Sequence, residues 1–287
     1  MPAGPPPPRG GPALRRLLRD PLGALGVALV ALVVTGAVLA GALSGADPTA
    51  LDLPARQQGP SWAHPLGTDH LGRDLFARVL YGGQVALQVS GVSVGLALGV
   101  GVVLGMLAGY GPPWLDHALV LAFDAVRSFP TIMFALALVT LLGPSILTIV
   151  VIVVITSFPV YGRVVRTQTQ SLKTHEFVLA ERALGARLAR VLGRHILPNV
   201  LGPVLILASM EIPVVVTIEA GLSFLGVGIR PPTPSWGSIL NDGYTFIRDT
   251  PWPVLAGGLP LVLTTLGFTF LGEALRDLFD PTLRHER

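Results

Sequence analysis

The stretch LAERALGARLARVLGRHILPN, residues 179–199, decides how the rest of the chain is read. It carries Arg182, Arg187, Arg190 and Arg194, and Arg166 lies upstream in the same polar island. Apolar runs long enough to cross a bilayer flank it on both sides. A basic, half-apolar helix that cannot itself cross therefore separates two spans. The totals fit that frame. Only 13% of the 287 residues are charged, against about 25% in a soluble domain, and the mean hydropathy is +0.65. The deficit sits in runs of roughly 18 or more apolar residues, the length at which a helix crosses hydrocarbon. There is no cysteine, which excludes disulfides and thiolate metal sites.

Working outward, the pattern predicts an all-α membrane protein with six transmembrane helices. Residues 1–21, beginning MPAGPPPPRGGP, are expected to form a disordered, proline-rich tail. Span one is expected at 22–43, too long for the roughly 7–15-residue core of a cleaved signal peptide and so a retained anchor. A loop at 44–84 follows, then a five-span core over 85–273 with a polar loop at 163–197, and a tail at 274–287. The core spans are expected at 85–110, 118–142, 146–162, 199–225 and 254–273. Residues 128–162 carry no charge, and at about 1.5 Å per residue they outreach one ~30 Å hydrocarbon core. They must fold back, and Gly143-Pro144-Ser145 is the turn-like break near the middle.

Lysine and arginine set the orientation. With the amino terminus inside, fourteen of the 20 basic residues fall on inner segments and five on outer ones, with Arg127 inside span three. Both termini and the quoted stretch are expected on the cytoplasmic side, and 44–84 and 226–253 outside.

Taken as helical, residues 174–197 start at Thr174 as a cap, with Glu176 in the first turn. Phe177, Ala180, Leu184 and Leu188 form an apolar stripe. Gly185 breaks the middle, so a short helix, a bend and a second helix ending before Pro198 are expected. On the residues alone two readings stand level: a helix lying on lipid headgroups, or one whose stripe fits a groove on a cytoplasmic partner.

Ala180, Gly185, Leu197 and Pro198 fit the pattern Glu-Ala-Ala-x-x-x-Gly-x9-Ile-x-Leu-Pro, with Leu179, Glu181 and His195 as departures. The chain thereby resembles the permeases of ATP-binding-cassette importers. ALGA (183–186) and RHILPN (194–199) resemble the dipeptide/oligopeptide/nickel branch. So do HPLGTDHLGRDLFARVLYGG (64–83), EAGLSFLGVGIRPPTPSWGSIL (219–240) and LGEALRDLFDP (271–281), in the order of the second, C-type permease subunit of that branch. The resemblance implies that the island is a coupling helix, with Ala180, Glu181, Ala183, Leu184, Gly185, Ala186, Leu197 and Pro198 meeting an ATPase. It implies as partners a second permease subunit, two cytoplasmic ATPases, an extracytoplasmic substrate-binding protein and membrane lipid, with no nucleic acid. The cargo is expected to be di- or oligopeptides, the alternative being nickel or another small solute. No cofactor is expected on this chain. No G-x-x-x-x-G-K-[ST] occurs, so ATP and magnesium belong to partner subunits.

Other motifs are weighed against structural readings. GVSVG (91–95) matches the G-x-S-x-G nucleophile elbow, but it lies in an apolar helix without a base. Packing is the better reading: Gly91, Gly95 and Gly99, then Gly101, Gly105 and Gly109, repeat every fourth residue and suit close approach to span three, span five or a partner permease. His64, Asp69, His70 and Asp74 are too loosely spaced for a metal. Gly67 and Gly72 suggest a shaped turn, with Asp69 or Asp74 pairing Arg73, and Asp69, Arg73 and Asp74 are expected to serve docking on the outside. Asp124 and Arg127, three apart, are expected to pair. Glu211 and Glu219 lack an evident partner in their own helix and are candidates for the translocation pathway. An intramembrane hydrolase lacks its catalytic pair, and a secondary transporter lacks its internal repeat.

Overall fold

A computed structural model describes residues 17–279. Most of the proline-rich tail, including Arg15 and Arg16, lies outside the described residues, as do residues 280–287. Among the described residues the chain is helical, with one isolated bridge between Thr68 and Asp74. Five helices among the described residues are long and apolar enough to cross a membrane, and a bent pair passes the same test when its two halves are taken together as one span.

The elements are α1 (Pro21–Val38), α2 (Ala40–Ser44), α3 (Leu75–Tyr110), α4 (Pro113–Arg127), α5 (Thr131–Leu142), α6 (Ile146–Leu172), α7 (Glu176–Ala183), α8 (Leu188–Arg190), α9 (Leu197–Phe224), α10 (Trp236–Thr245) and α11 (Trp252–Phe279). Local chemistry sets their ends. Asp20 accepts from the Gly23 amide at 2.8 Å to start α1, with Pro21 in its first turn. Asp74 accepts from the Ala77 amide at 2.7 Å and starts α3 ten residues before the expected span. Ser145 caps α6 through the Thr148 amide. α6 then runs on to Leu172, carrying helix into what the sequence assigns to the polar loop.

Span three is not one helix. α4 and α5 meet at 85° around Ser128-Phe129-Pro130. A residue before proline avoids helical backbone, and the Ser128 hydroxyl turns back to the Asp124 carbonyl at 2.8 Å. Gly101, Gly105 and Gly109 of α3 lie against Tyr161, Gly162, Val165 and Thr169 of α6, rising together along both chains. The two helices are therefore parallel, and a crossover must link the end of α3 to the start of α6.

This α3–α6 contact is the most extensive in the fold. A Cβ on Gly105 would stand 2.5 Å from the Gly162 carbonyl oxygen, and one on Gly101 2.5 Å from the Tyr161 Cβ. The glycine ridge thus faces span four, not span three or five. Gly91, Gly95 and Gly99 are exposed, with open space where a Cβ would point. Ser93 is buried mid-helix, and its hydroxyl has no hydrogen-bond partner among the described residues.

α4 is held on α6 by charge. Arg166 pairs with Asp116, its Nη2 donating to Oδ2 at 2.7 Å, and Gln170 adds a bond at 3.2 Å. Arg163 pairs with Asp124, so Asp124 reaches across to α6 instead of pairing with Arg127. On the far side, α11 packs on α1, α9 and α10. Trp236 of α10 lies over Gly82 and Gly83 of α3, its indole N–H donating to the Val79 carbonyl at 2.8 Å.

Gly105→Ala is expected to lower the thermal unfolding temperature of the purified chain in detergent, overpacking of this kind costing about 1–3 kcal/mol. Gly95→Ala is expected to be neutral or slightly stabilising, since alanine gains up to about 1 kcal/mol of helix propensity. Equal melting temperatures for the two variants would contradict the assigned interface.

Candidate functional site

The polar island projects from one end of the bundle. Tyr110 at the end of α3 marks that end: Lys173 donates to its carbonyl at 3.1 Å, and Arg182 lies 5.9 Å from its ring centroid. α7 begins at Glu176, and His175 precedes it without a side-chain cap. Thr174, the expected cap, donates instead to the Ser171 carbonyl at 2.9 Å.

α7 ends in a turn built on glycine. The Gly185 amide donates to the Arg182 carbonyl, and the Ala186 amide to the Glu181 carbonyl, both at 3.0 Å. These are the paired bonds of a Schellman ending, which needs a left-handed residue just past the helix. Gly185 supplies it with φ +79°. Leu184, beside it, is 83% exposed, and Phe177, Leu179 and Leu188 are also exposed. Ala180 and Ala183 are exposed too, and Glu181 is half-buried, 3.3 Å from the His195 ring. The apolar stripe therefore faces outward. The residue that anchors α7 is the buried Val178, joined in the core by Val191 and Ile196. Glu181, Leu184, Gly185, Ala186, Arg187 and Arg190 border an open concavity of about 580 Å³.

The second half of the island differs from expectation. α8 passes into a π-helical turn at Val191–Ile196, which runs directly into α9. Pro198 does not stop the helix; it sits in the first turn of α9 beside Leu197. A proline ring crowds the carbonyl four residues back, and the wider π turn lies where that crowding would fall. The Asn199 side-chain amide donates to the His195 carbonyl at 2.6 Å.

Within the bundle, Glu211 of α9 is half-buried and accepts from Ser157 of α6 at 2.8 Å, so its partner lies on the neighbouring span. Glu219 is fully buried. It has a partner in its own helix, the Ser223 hydroxyl at 2.8 Å, and Ser223 in turn accepts from the Ile229 amide. Glu219 thus anchors the turn leaving α9 from inside the protein.

At the opposite end, the turn at 64–74 is held by buried charge. Asp69 Oδ2 accepts from Arg73 Nε at 2.6 Å, and Asp74 Oδ2 meets His64 Nδ1 at 2.8 Å. Gly67 and Gly72 both have positive φ, and a Cβ on Gly72 would overlap the Asp52 carbonyl. Asp69, Arg73 and Asp74 are more than nine-tenths buried. They shape the turn from within and offer no side chain to a partner. Arg73 also reaches Asp242 of α10 at 3.1 Å. Asp69, His70 and Asp242 bring possible ligand atoms within 4.8 Å of one another, but Arg73 hydrogen-bonds both carboxylates and, together with Arg78, balances their charge. Sequence reasoning missed Asp242 and Arg78, which join this cluster only through the fold.

Residues 101–285 match the family described as binding-protein-dependent transport system inner membrane component. The chain is 37% identical over 272 residues to the dipeptide transport system permease protein DppC of Alkalihalophilus pseudofirmus, covering 95% of this chain and 90% of that protein. It is 39% identical over 236 residues to a putative peptide permease protein of Brucella suis, covering 82% and 78%. Among solved structures, an inward-facing conformation of the MetNI methionine ABC transporter matches with a TM-score of 0.54 at 18% identity, covering 68% of this chain and 94% of that one, a likeness of fold. With apolar spans on either side of an outward-facing island and a family match across most of the core, the chain belongs to the inner membrane components of binding-protein-dependent transport systems.

Proposed function

We propose that this chain is one permease half of an ATP-binding-cassette importer for di- or oligopeptides. A second permease lies beside it, two ATPases bind the cytoplasmic ends, and a substrate-binding protein delivers cargo outside. Both termini and the island face the cytoplasm, as the basic-residue bias supports. The similarity to dipeptide and peptide permeases supports peptides over nickel.

The observation that carries the reading is the island. Exposed leucines at a glycine turn are costly in water, about 1.5–3 kcal/mol for each side chain a partner would bury, and they suit a groove on an ATPase subunit. Val178, Val191 and Ile196 tie that tip to the ends of α6 and α9, so displacement of the tip reaches both helices. Ala180, Glu181, Ala183, Leu184, Gly185 and Ala186 form the docking surface, and Leu197 and Pro198 its junction with α9. The ATPases hold the ATP and magnesium. This chain changes access and does not react with its cargo.

Glu211, bonded to Ser157, is the pathway acid of this reading, since the pair lies between the two helices that flank the island. A carboxylate there suits a peptide ammonium. Glu219 supports the turn beyond it. Outside, the loop surface shaped by Asp69, Arg73 and Asp74 receives the binding protein.

Gly185→Leu is expected to strain the left-handed turn by about 1–2 kcal/mol, a factor of roughly 5–30 in its population. In proteoliposomes holding the full transporter, less cargo should enter per ATP hydrolysed, and Gly185→Asn should retain more coupling than Gly185→Leu. Wild-type coupling in Gly185→Leu would overturn the coupling role. Glu211→Gln is expected to slow peptide uptake while ATPase binding to the permease stays unchanged, and unaltered uptake would remove Glu211 from the pathway.

A further inference from the structure

At the end of the bundle away from the island lies a cavity of about 250 Å³. Its wall includes His70, Arg73, Arg78, Arg230, Asn241 and Asp242. The turn before α3, the first turn of α3, the loop after α9 and the middle of α10 all meet here. Two basic residues of this wall are almost fully buried, Arg73 at 7% exposed and Arg78 at 2%.

Two carboxylates face these two guanidiniums, yet the geometry does not share them evenly. Arg73 takes both: its Nε bonds Asp69 Oδ2 at 2.6 Å and its Nη2 bonds Asp242 Oδ2 at 3.1 Å. Arg78 stands behind, its Nε 3.5 Å from Asp69 and its Nη2 3.7 Å from Asp242. Arg78 Nε and Nη1 are buried and make no hydrogen bond among the described residues. His70 Nδ1, on the same wall, is also buried without a hydrogen-bond partner, its ring stacked on Phe246. Exposed Arg230 adds a further positive charge at the rim. Arg78 is thus held by two long ion pairs, but two of its buried nitrogens lack a hydrogen bond, which is costly. A partner of definite chemistry fits: an anion that accepts from Arg78, since the three arginines here outnumber the two carboxylates by one charge.

We propose that this cavity is an anion site that takes the free carboxylate end of a peptide as it enters the permease. Its volume is below the roughly 300–1,000 Å³ of a whole-ligand pocket, which suits the end of a chain whose remaining residues lie outside. The identity of the carboxylate as a peptide's rests on the function proposed above; the anion site itself does not.

The test is equilibrium binding to the full-length chain, assembled with its partner subunits in lipid nanodiscs. The probes are acetate, followed by saturation-transfer NMR, and radiolabelled alanyl-alanine with its C-terminal amide. Acetate and the dipeptide are expected to bind, and the amide about tenfold or more weakly, as loss of a charge-assisted bond implies. Arg78→Gln is expected to remove the discrimination between dipeptide and amide, and Arg78→Lys to keep part of it. Arg230→Gln, an exposed change that leaves the buried pairs intact, is expected to weaken acetate binding if Arg78→Gln does not assemble. No acetate binding to the wild-type transporter overturns the site. Acetate binding with equal dipeptide and amide affinities overturns the peptide assignment. If Arg78→Gln then also weakens docking of the binding protein, the cavity serves an acidic side chain of that protein. Failure of ATP-driven dipeptide uptake in the wild type would remove the function proposed above while leaving the acetate result standing.

Discussion

The structure depends on the backbone contact between α3 and α6. Three glycines of α3 bring the two main chains so close that a Cβ on any of them would meet a carbonyl oxygen of α6, while Gly162 of α6 makes room for Phe123 of α4. In a bilayer, apolar surface alone gives helices no reason to prefer one another over lipid, so close van der Waals packing along a small-residue ridge has to supply the association. Because these helices run parallel, the chain must recross between them, and α4–α5 is that return. The rest of the order follows: α6 delivers the chain to the island, and α9 takes it back from there.

Charge is used sparingly, and at the edges. Asp116 and Asp124 clamp α4 to α6 near the island, where arginines are close to water. At the other end, Arg73 and Arg78 sit with Asp69 and Asp242 in a buried cluster that ties the turn before α3 to α10. Removing one member of such a cluster strands the others, at a cost of about 3–5 kcal/mol. Between these ends the bundle is largely apolar, its acids including the half-buried Glu211 with its Ser157 partner and the buried Glu219 with Ser223. The polar contacts of α6 and α9 therefore lie at defined points in a largely uncharged body.

Much of this was legible in the sequence. Helices overlap the stretches that hydropathy assigns to spans one, two, four, five and six, although α3 starts ten residues early and α6 ends ten residues late, and the breaks at Gly143-Pro144-Ser145 and Gly185 are where turn chemistry puts them. The 85° bend was missed because the neutral run over 128–162 reads as smooth, although Pro130 is a signal in plain view. The early start of α3 was missed for a similar reason: Asp74 was weighed as an ion-pair partner, and its capping role went unused. Other features have no local signal. Asp124 finds Arg163 39 positions away, and Arg73 finds Asp242 169 positions away. Spacing rules for one helix, which suggested Arg127, cannot reach across the fold. The same limit hid the buried state of Asp69, Arg73 and Asp74.

The central claim is that the island receives force from an ATPase and passes it into α6 and α9. The chain contains no cysteine, so a single Leu184→Cys reports from one place. In inside-out membrane vesicles holding the whole transporter, crosslinking through this cysteine should yield an adduct with an ATPase subunit, and nucleotide should change its yield. An adduct that never includes an ATPase subunit, or a cysteine labelled only by impermeant reagent from the opposite side of the membrane, would contradict the account.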